Sequence, residues 1–128
     1  MTATRRRRRR DRGAASVELV LATPLLLLLL MAGVQFALWA HARNMAQAAA
    51  NEGVQTARAY GSSAAAGKTD TEALLADLSG GSLTGTNVSA GRTATSATIT
   101  ITGQATSVIP GLTFPVRISV TAPVEKVP

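Results

Sequence analysis

The chain has 128 residues, no cysteine and a formal net charge of +6. That length suits one small domain plus a membrane segment, and the missing cysteines exclude disulfides and thiolate metal sites. The charge belongs to a leader: residues 1–13 hold seven arginines and one aspartate, whereas the six basic and six acidic residues that follow cancel. A neutral body speaks against nucleic acid as a partner, because an arginine run used that way would be joined by a second basic face or by interleaved aromatics. Aromatics are scarce (Phe36, Trp39, Tyr60 and Phe114), so any core must be small and built from Ala, Val, Ile and Leu.

Taken in chain order, residues 1–13 are expected to be unstructured away from a membrane surface. Arg5, Arg6, Arg7, Arg8, Arg9, Arg10 and Arg12 stand directly before an apolar run. Such a cluster is retained in the cytoplasm, which would send everything after Trp39 outside. The 21 residues from Leu19 to Trp39, interrupted only by Thr23, Pro24 and Gln35, match the ~20 needed to cross a bilayer as a helix. Trp39 falls where an interfacial aromatic is expected. Pro24 removes one helix hydrogen bond and is expected to kink or loosen the helix.

Beyond Trp39 there is no helix breaker. Ala42, Ala46, Ala49, Gly53 and Ala57 fall on one helical face made only of small residues, and Arg43, Gln47, Asn51, Gln55 and Arg58 form a polar stripe on another. The small face predicts close helix packing. Gly61 is the predicted stop, so a helix from Ala14 to Tyr60 would run about 70 Å. Ser62 to Lys68 reads as a turn or linker. Thr69 and Glu72 fit a capping box opening a short helix with Leu74, Leu75 and Leu78, closed by Gly80 and Gly81.

Residues 80–95 are rich in Gly, Ser and Thr, with Val88 marking at most a weak strand. Two strands are clearer: Ala97, Ile99 and Ile101 alternate with threonines, and Phe114, Val116, Ile118, Val120 and Ala122 alternate with polar residues and Pro115. Pro115 suggests an edge position or a strand start. A sheet this small needs a helix to cover its apolar face, and the stripe of residues 42–57 is the expected cover.

A carboxylate near the start of an apolar helix is costly in lipid, which singles out Glu18. It lies five residues after Gly13. That arrangement resembles the prepilin type of export signal, in which a basic leader ends in Gly and a membrane peptidase cuts after it. In that reading Gly13 is the last leader residue, Ala14 the new N-terminus and Glu18 the fifth residue of the product. The freed α-amine would lie one helical turn from Glu18, and pairing would offset the cost of the carboxylate. The helix dipole also favours an acid in the first turn.

Arg12-Gly13-Ala14-Ala15-Ser16-Val17-Glu18, then Pro24 before a leucine run, together with Ala48-Ala49-Ala50-Asn51-Glu52-Gly53 and Ala57-Arg58, resembles TadE-like proteins. These are pseudopilins, or minor pilins, of tight-adherence (Tad/Flp) pilus systems. The resemblance covers about residues 12–61. Gln35-Phe36 departs from it, since relatives often carry an acid before the Phe. What the resemblance implies is a substrate of a prepilin peptidase that helps to assemble an adhesive pilus, with the bilayer, the peptidase and other pilin subunits as partners. The expected place is the bacterial cytoplasmic membrane, crossed once with the N-terminus inside. The predicted organisation is a leader at 1–13, a transmembrane helix at 14–40, its extracytoplasmic continuation at 41–61 and a small exported α+β region at 62–128. The predicted fold class is α+β and pilin-like: a long N-terminal helix packed on an antiparallel sheet of two or three strands.

No catalytic constellation is legible, and neither an enzyme, a cofactor nor a small-molecule substrate is expected. His41 has no second His or Cys with which to ligate a metal. Glu52 reads as a solvated helix residue. Asn87-Val88-Ser89 is a formal glycosylation sequon, coincidental in a bacterial chain. The rival reading is a secreted or surface-anchored binding module. Ala40-His41-Ala42 satisfies an A-x-A cleavage site, and twin arginines allow a Tat-type variant. An uncleaved single-pass anchor is the third reading.

Overall fold

The computed structural model describes the backbone of residues 2–127 and the side chains of residues 12–127. It contains two helices, α1 (Thr2–Arg58) and α2 (Ala64–Ser79), and three strands, β1 (Leu83–Arg92), β2 (Ser96–Ala105) and β3 (Phe114–Pro123). The fold is α+β: a long N-terminal apolar helix, a short second helix and a three-stranded antiparallel sheet. The chain divides into two compact units, residues 1–34 and residues 35–128.

α1 extends through the leader, where no regular structure was expected. Arginine is a good helix former, and Gly13 alone does not outweigh its neighbours. The helix also runs through Pro24 without a break. Pro24 has no N–H for the Val20 carbonyl, and one position earlier Thr23 Oγ1 donates to the Leu19 carbonyl at 2.7 Å.

In the second unit the sheet has the order β1-β2-β3, so β2 is central and the other two are edges. Ile99 pairs with Val120 and Ile101 with Ile118, setting β-branched residues side by side on the inner face. Ile99 and Ile101 are fully buried, each contributing about 1.5–3 kcal/mol of hydrophobic stabilisation. The opposite face is polar, where the hydroxyls of Thr98 and Thr121 meet at 2.9 Å and those of Thr100 and Ser119 at 3.2 Å. Pro115 is the second residue of an edge strand, a place where a missing N–H costs little.

β1 is a full ten-residue strand rather than a weak mark at Val88. Its alternation is hidden by a bulge. Thr84 pairs with Gln104 but Asn87 pairs with Thr102, so Gly85 and Thr86 together oppose Gly103. One extra residue reverses the facing of everything beyond it. Leu83 and Val88 therefore both reach the core, although five positions apart. Gly85 takes φ +60°, which glycine adopts freely.

The inner face is covered by helices. Ala42, Ala46, Ala49, Ala50, Val54 and Ala57 of α1 join Leu75 of α2 and the sheet residues in one core cluster. α2 crosses α1 very closely: a Cβ on Gly53 would overlap Thr71 Oγ1, and one on Gly67 would lie 2.6 Å from Ala57 Cβ. Thr71, fully buried, turns its hydroxyl back to the Gly67 carbonyl at 2.7 Å.

α2 begins five residues before the expected capping box. Ser63 is its N-cap, accepting from the Ala66 amide at 3.1 Å. Thr69 lies inside the helix with its hydroxyl donating to the Ala65 carbonyl at 3.0 Å. Alanines at 64 to 66 are strong helix formers, and with Ser63 ahead of them they outweigh the later Thr-x-x-Glu signal. Gly80 ends the helix in the left-handed region at φ +50°.

Candidate functional site: the processing segment and its helix

Gly13, Ala14 and Glu18 all lie on α1. These three residues, with Arg12 and Ser16, are exposed, and a Cβ on Gly13 would meet nothing within 4 Å. The segment is therefore open to an external agent on every side. Ser16 Oγ donates to the Arg12 carbonyl at 2.9 Å, across the Gly13–Ala14 bond. Glu18 stands four residues after Ala14, about 6 Å along the axis, so one helical turn brings the two onto the same face. The expected topology residues Arg5 to Arg10 have side chains outside the described residues.

The apolar run follows on the same helix. From Leu19 to Val34 every residue is exposed, the leucines at 60–70%. A helix that is apolar all round belongs either in a protein core or in lipid, and here none of the apolar window is buried by protein. The described part of the helix, Arg12–Arg58, is long and apolar enough to cross a membrane.

In the second unit the small stripe residues Ala42, Ala46, Ala49, Gly53 and Ala57 are all buried, while Arg43, Asn51, Glu52 and Gln55 are exposed. Arg43 lies 5.6 Å over the Trp39 ring, and Phe36 and Trp39 are 6.1 Å apart. His41 is exposed. Among the described residues no group of three or more His, Cys, Asp or Glu could hold a metal. A groove of about 260 Å³ between α2 and β1 offers one carboxylate, Glu72, beside Leu75, Asn87 and Val88.

Two polar residues have roles that sequence reasoning missed. Gln35 is 2% exposed: its Nε2 donates to the Thr106 carbonyl at 3.1 Å and its Oε1 accepts from the Val108 amide at 2.8 Å. An acid at this position would lack the donor for Thr106. The signal was present, since Gln35 is a lone amide in an apolar run. Arg92 donates to the Ala57 and Ala59 carbonyls at 2.6 and 2.9 Å, satisfying the last turn of α1. It is the only charged residue between Asp77 and Arg117. The Arg58 carbonyl in turn accepts from the Glu125 amide, and Arg58 Nε donates to the Pro123 carbonyl, both at 2.9 Å. The helix end is thus held by β1, by the last residue of β3 and by the C-terminal tail, and the helix stops at Arg58, two residues short of Tyr60.

The family model described as TadE-like protein matches residues 13–55. Comparison with curated proteins and with solved structures gives no match. The matched segment opens on Gly13, contains Glu18 and the whole apolar run, and closes within the small-residue stripe. Over this third of its length the chain is similar to TadE-like proteins, and the matched segment includes the apolar stretch of a helix long and apolar enough to cross a membrane.

Proposed function

We propose that this chain is a membrane-anchored pseudopilin that takes part in assembling a Tad/Flp-type adhesive pilus, and that a prepilin peptidase cuts it between Gly13 and Ala14. The observation that carries this is the spacing of Gly13 and Glu18 at the head of the TadE-like segment. Hydrolysis of that amide leaves a carboxylate on the leader and an α-amine on Ala14. The amine lies one turn from Glu18 and can neutralise it, within the chain or in a neighbouring subunit, so that the carboxylate is tolerated in an apolar setting. The same cut removes the leader that holds the whole net charge of +6. Before cleavage the arginines keep the N-terminus on the cytoplasmic side; afterwards the subunit is free to be drawn into an assembly. Its partners are the bilayer, the peptidase and other pilin or assembly subunits. Its role is that of substrate and structural subunit, not catalyst.

The rival cut after Ala42 has the geometry against it. Ala42 is fully buried in the core cluster, and the cut would detach Gln35 and Trp39 from the backbone groups they hold. N-terminal sequencing of the membrane-extracted protein tests the proposal. Ala14 is the expected first residue; Arg43 or the unprocessed N-terminus would refute it. Glu18→Ala is expected to lose assembly, and a variant processed and assembled like the wild type removes the role given to Glu18.

A further inference from the structure

The stretch from Thr93 to Val116 contains no charged residue, and the connection between β2 and β3 lies within it. This loop turns at Pro110 and Gly111, the latter at φ +79°. It is not polar as exposed loops generally are: Val108 is 40% and Leu112 53% exposed. The loop is also held at a defined level on α1. Gln35 takes both a carbonyl and an amide of its backbone, at Thr106 and Val108. One turn further along, Trp39 Nε1 donates to the Pro115 carbonyl at 3.2 Å.

That level matters. Gln35 precedes Trp39 by about 6 Å along the helix, so it lies inside the stretch that crosses the bilayer, with Phe36 exposed beside it. Arg43, stacked over the Trp39 ring, marks the polar side of the boundary one turn beyond, where aromatics and basic residues collect.

We propose that the β2–β3 connection, through Val108, Ile109 and Leu112, is a second membrane contact, inserted into the leaflet that the helix leaves at Trp39. The occupant of this apolar surface is lipid, at the boundary of headgroups and acyl chains. The proposal rests on the helix spanning the bilayer. Backbone polar groups placed in that region must find partners within the protein, and the Gln35 amide supplies them for Thr106 and Val108. A carboxylate at 35 would leave the Thr106 carbonyl without a donor, which gives this position a reason to carry an amide.

Because the chain has no cysteine, single labels can be placed cleanly. The full chain carrying Val108→Cys, Leu112→Cys, Lys126→Cys or Leu27→Cys is labelled with an environment-sensitive fluorophore. Each is placed in phosphatidylcholine–phosphatidylglycerol vesicles containing quencher lipids of known depth. Labels at 108 and 112 are expected to lose most of their emission to quenchers just below the headgroups. The label at 126 should keep its emission, and the label at 27 should respond to deep quenchers. If 108 and 112 behave like 126 while 27 is quenched deeply, the loop contact is refuted and the spanning helix stands. If 27 also escapes quenching, the spanning helix falls and the loop contact with it.

Discussion

Replacing Gly67 by alanine opposes two effects that the structure allows to be weighed. Alanine is the better helix former by about 1 kcal/mol, so an isolated α2 would gain. In the folded protein the new Cβ would stand 2.6 Å from Ala57 Cβ, 2.9 Å from the Gly53 carbonyl oxygen and 3.2 Å from Ala57 Cα. Two of these atoms are backbone and the third is fixed to it, so no side-chain rotation relieves the clash. α2 must instead move away from α1. Forcing an extra methyl into a close-packed contact costs about 1–3 kcal/mol, and with rigid atoms the upper end applies. Gly67→Ala is therefore expected to destabilise the second unit by about 2 kcal/mol after the propensity gain. The assay is a urea titration of the full chain in nanodiscs, followed by fluorescence of Trp39, the single tryptophan, whose indole is bonded to Pro115. Ala57→Gly in the same chain removes the nearest atom, and a double-mutant cycle should show a favourable coupling of about 1 kcal/mol. A Gly67→Ala protein at least as stable as the wild type would refute the close crossing of the two helices.

Two further variants read out in the same titration. Arg92→Ala leaves the Ala57 carbonyl without its donor and the Ala59 carbonyl with only the Ser62 amide, and should cost about 1–3 kcal/mol; an unchanged midpoint would show that water replaces the guanidinium at no cost. Ser63→Ala should cost about 1 kcal/mol, because Ser63 caps α2. Thr69→Ala should stay within about 0.5 kcal/mol as an exposed position inside the helix. The reverse order would restore Thr69 as the cap.

The parts legible in the sequence were those where one short-range pattern dominated. The apolar run from Leu19, the small-residue stripe from Ala42 to Ala57, and the alternation of Ala97, Ile99 and Ile101 each follow a single period and need no partner to be recognised. The same holds for the spacing of Gly13 and Glu18, which is a matter of chain position alone. Elements went unread where local signals competed or a period was broken. At the start of α2, Ser63 with three alanines competes with Thr69 and Glu72; the earlier cap is the one used, and the added residues place Gly67 against Ala57 and Gly53. In β1 the bulge at Gly85 and Thr86 breaks the alternation that would have revealed the strand.

What the sequence by itself determined is the order of segments along the chain: a basic N-terminal stretch, an apolar helix of membrane-crossing length, an amphipathic continuation and a neutral, β-rich remainder. These follow from composition and period, which are local properties. Only the tertiary structure decided what the isolated polar residues are for. Gln35 and Arg92 look out of place in their own segments. Their partners lie more than thirty and seventy positions away, at Ala57 and Ala59 for Arg92 and at Thr106 and Val108 for Gln35. Pairing across such distances is set by which strands meet which helix face, and no local pattern encodes it. The tertiary structure likewise decided that Gly53 and Gly67 are small for one reason, the crossing of α1 and α2 at near backbone contact.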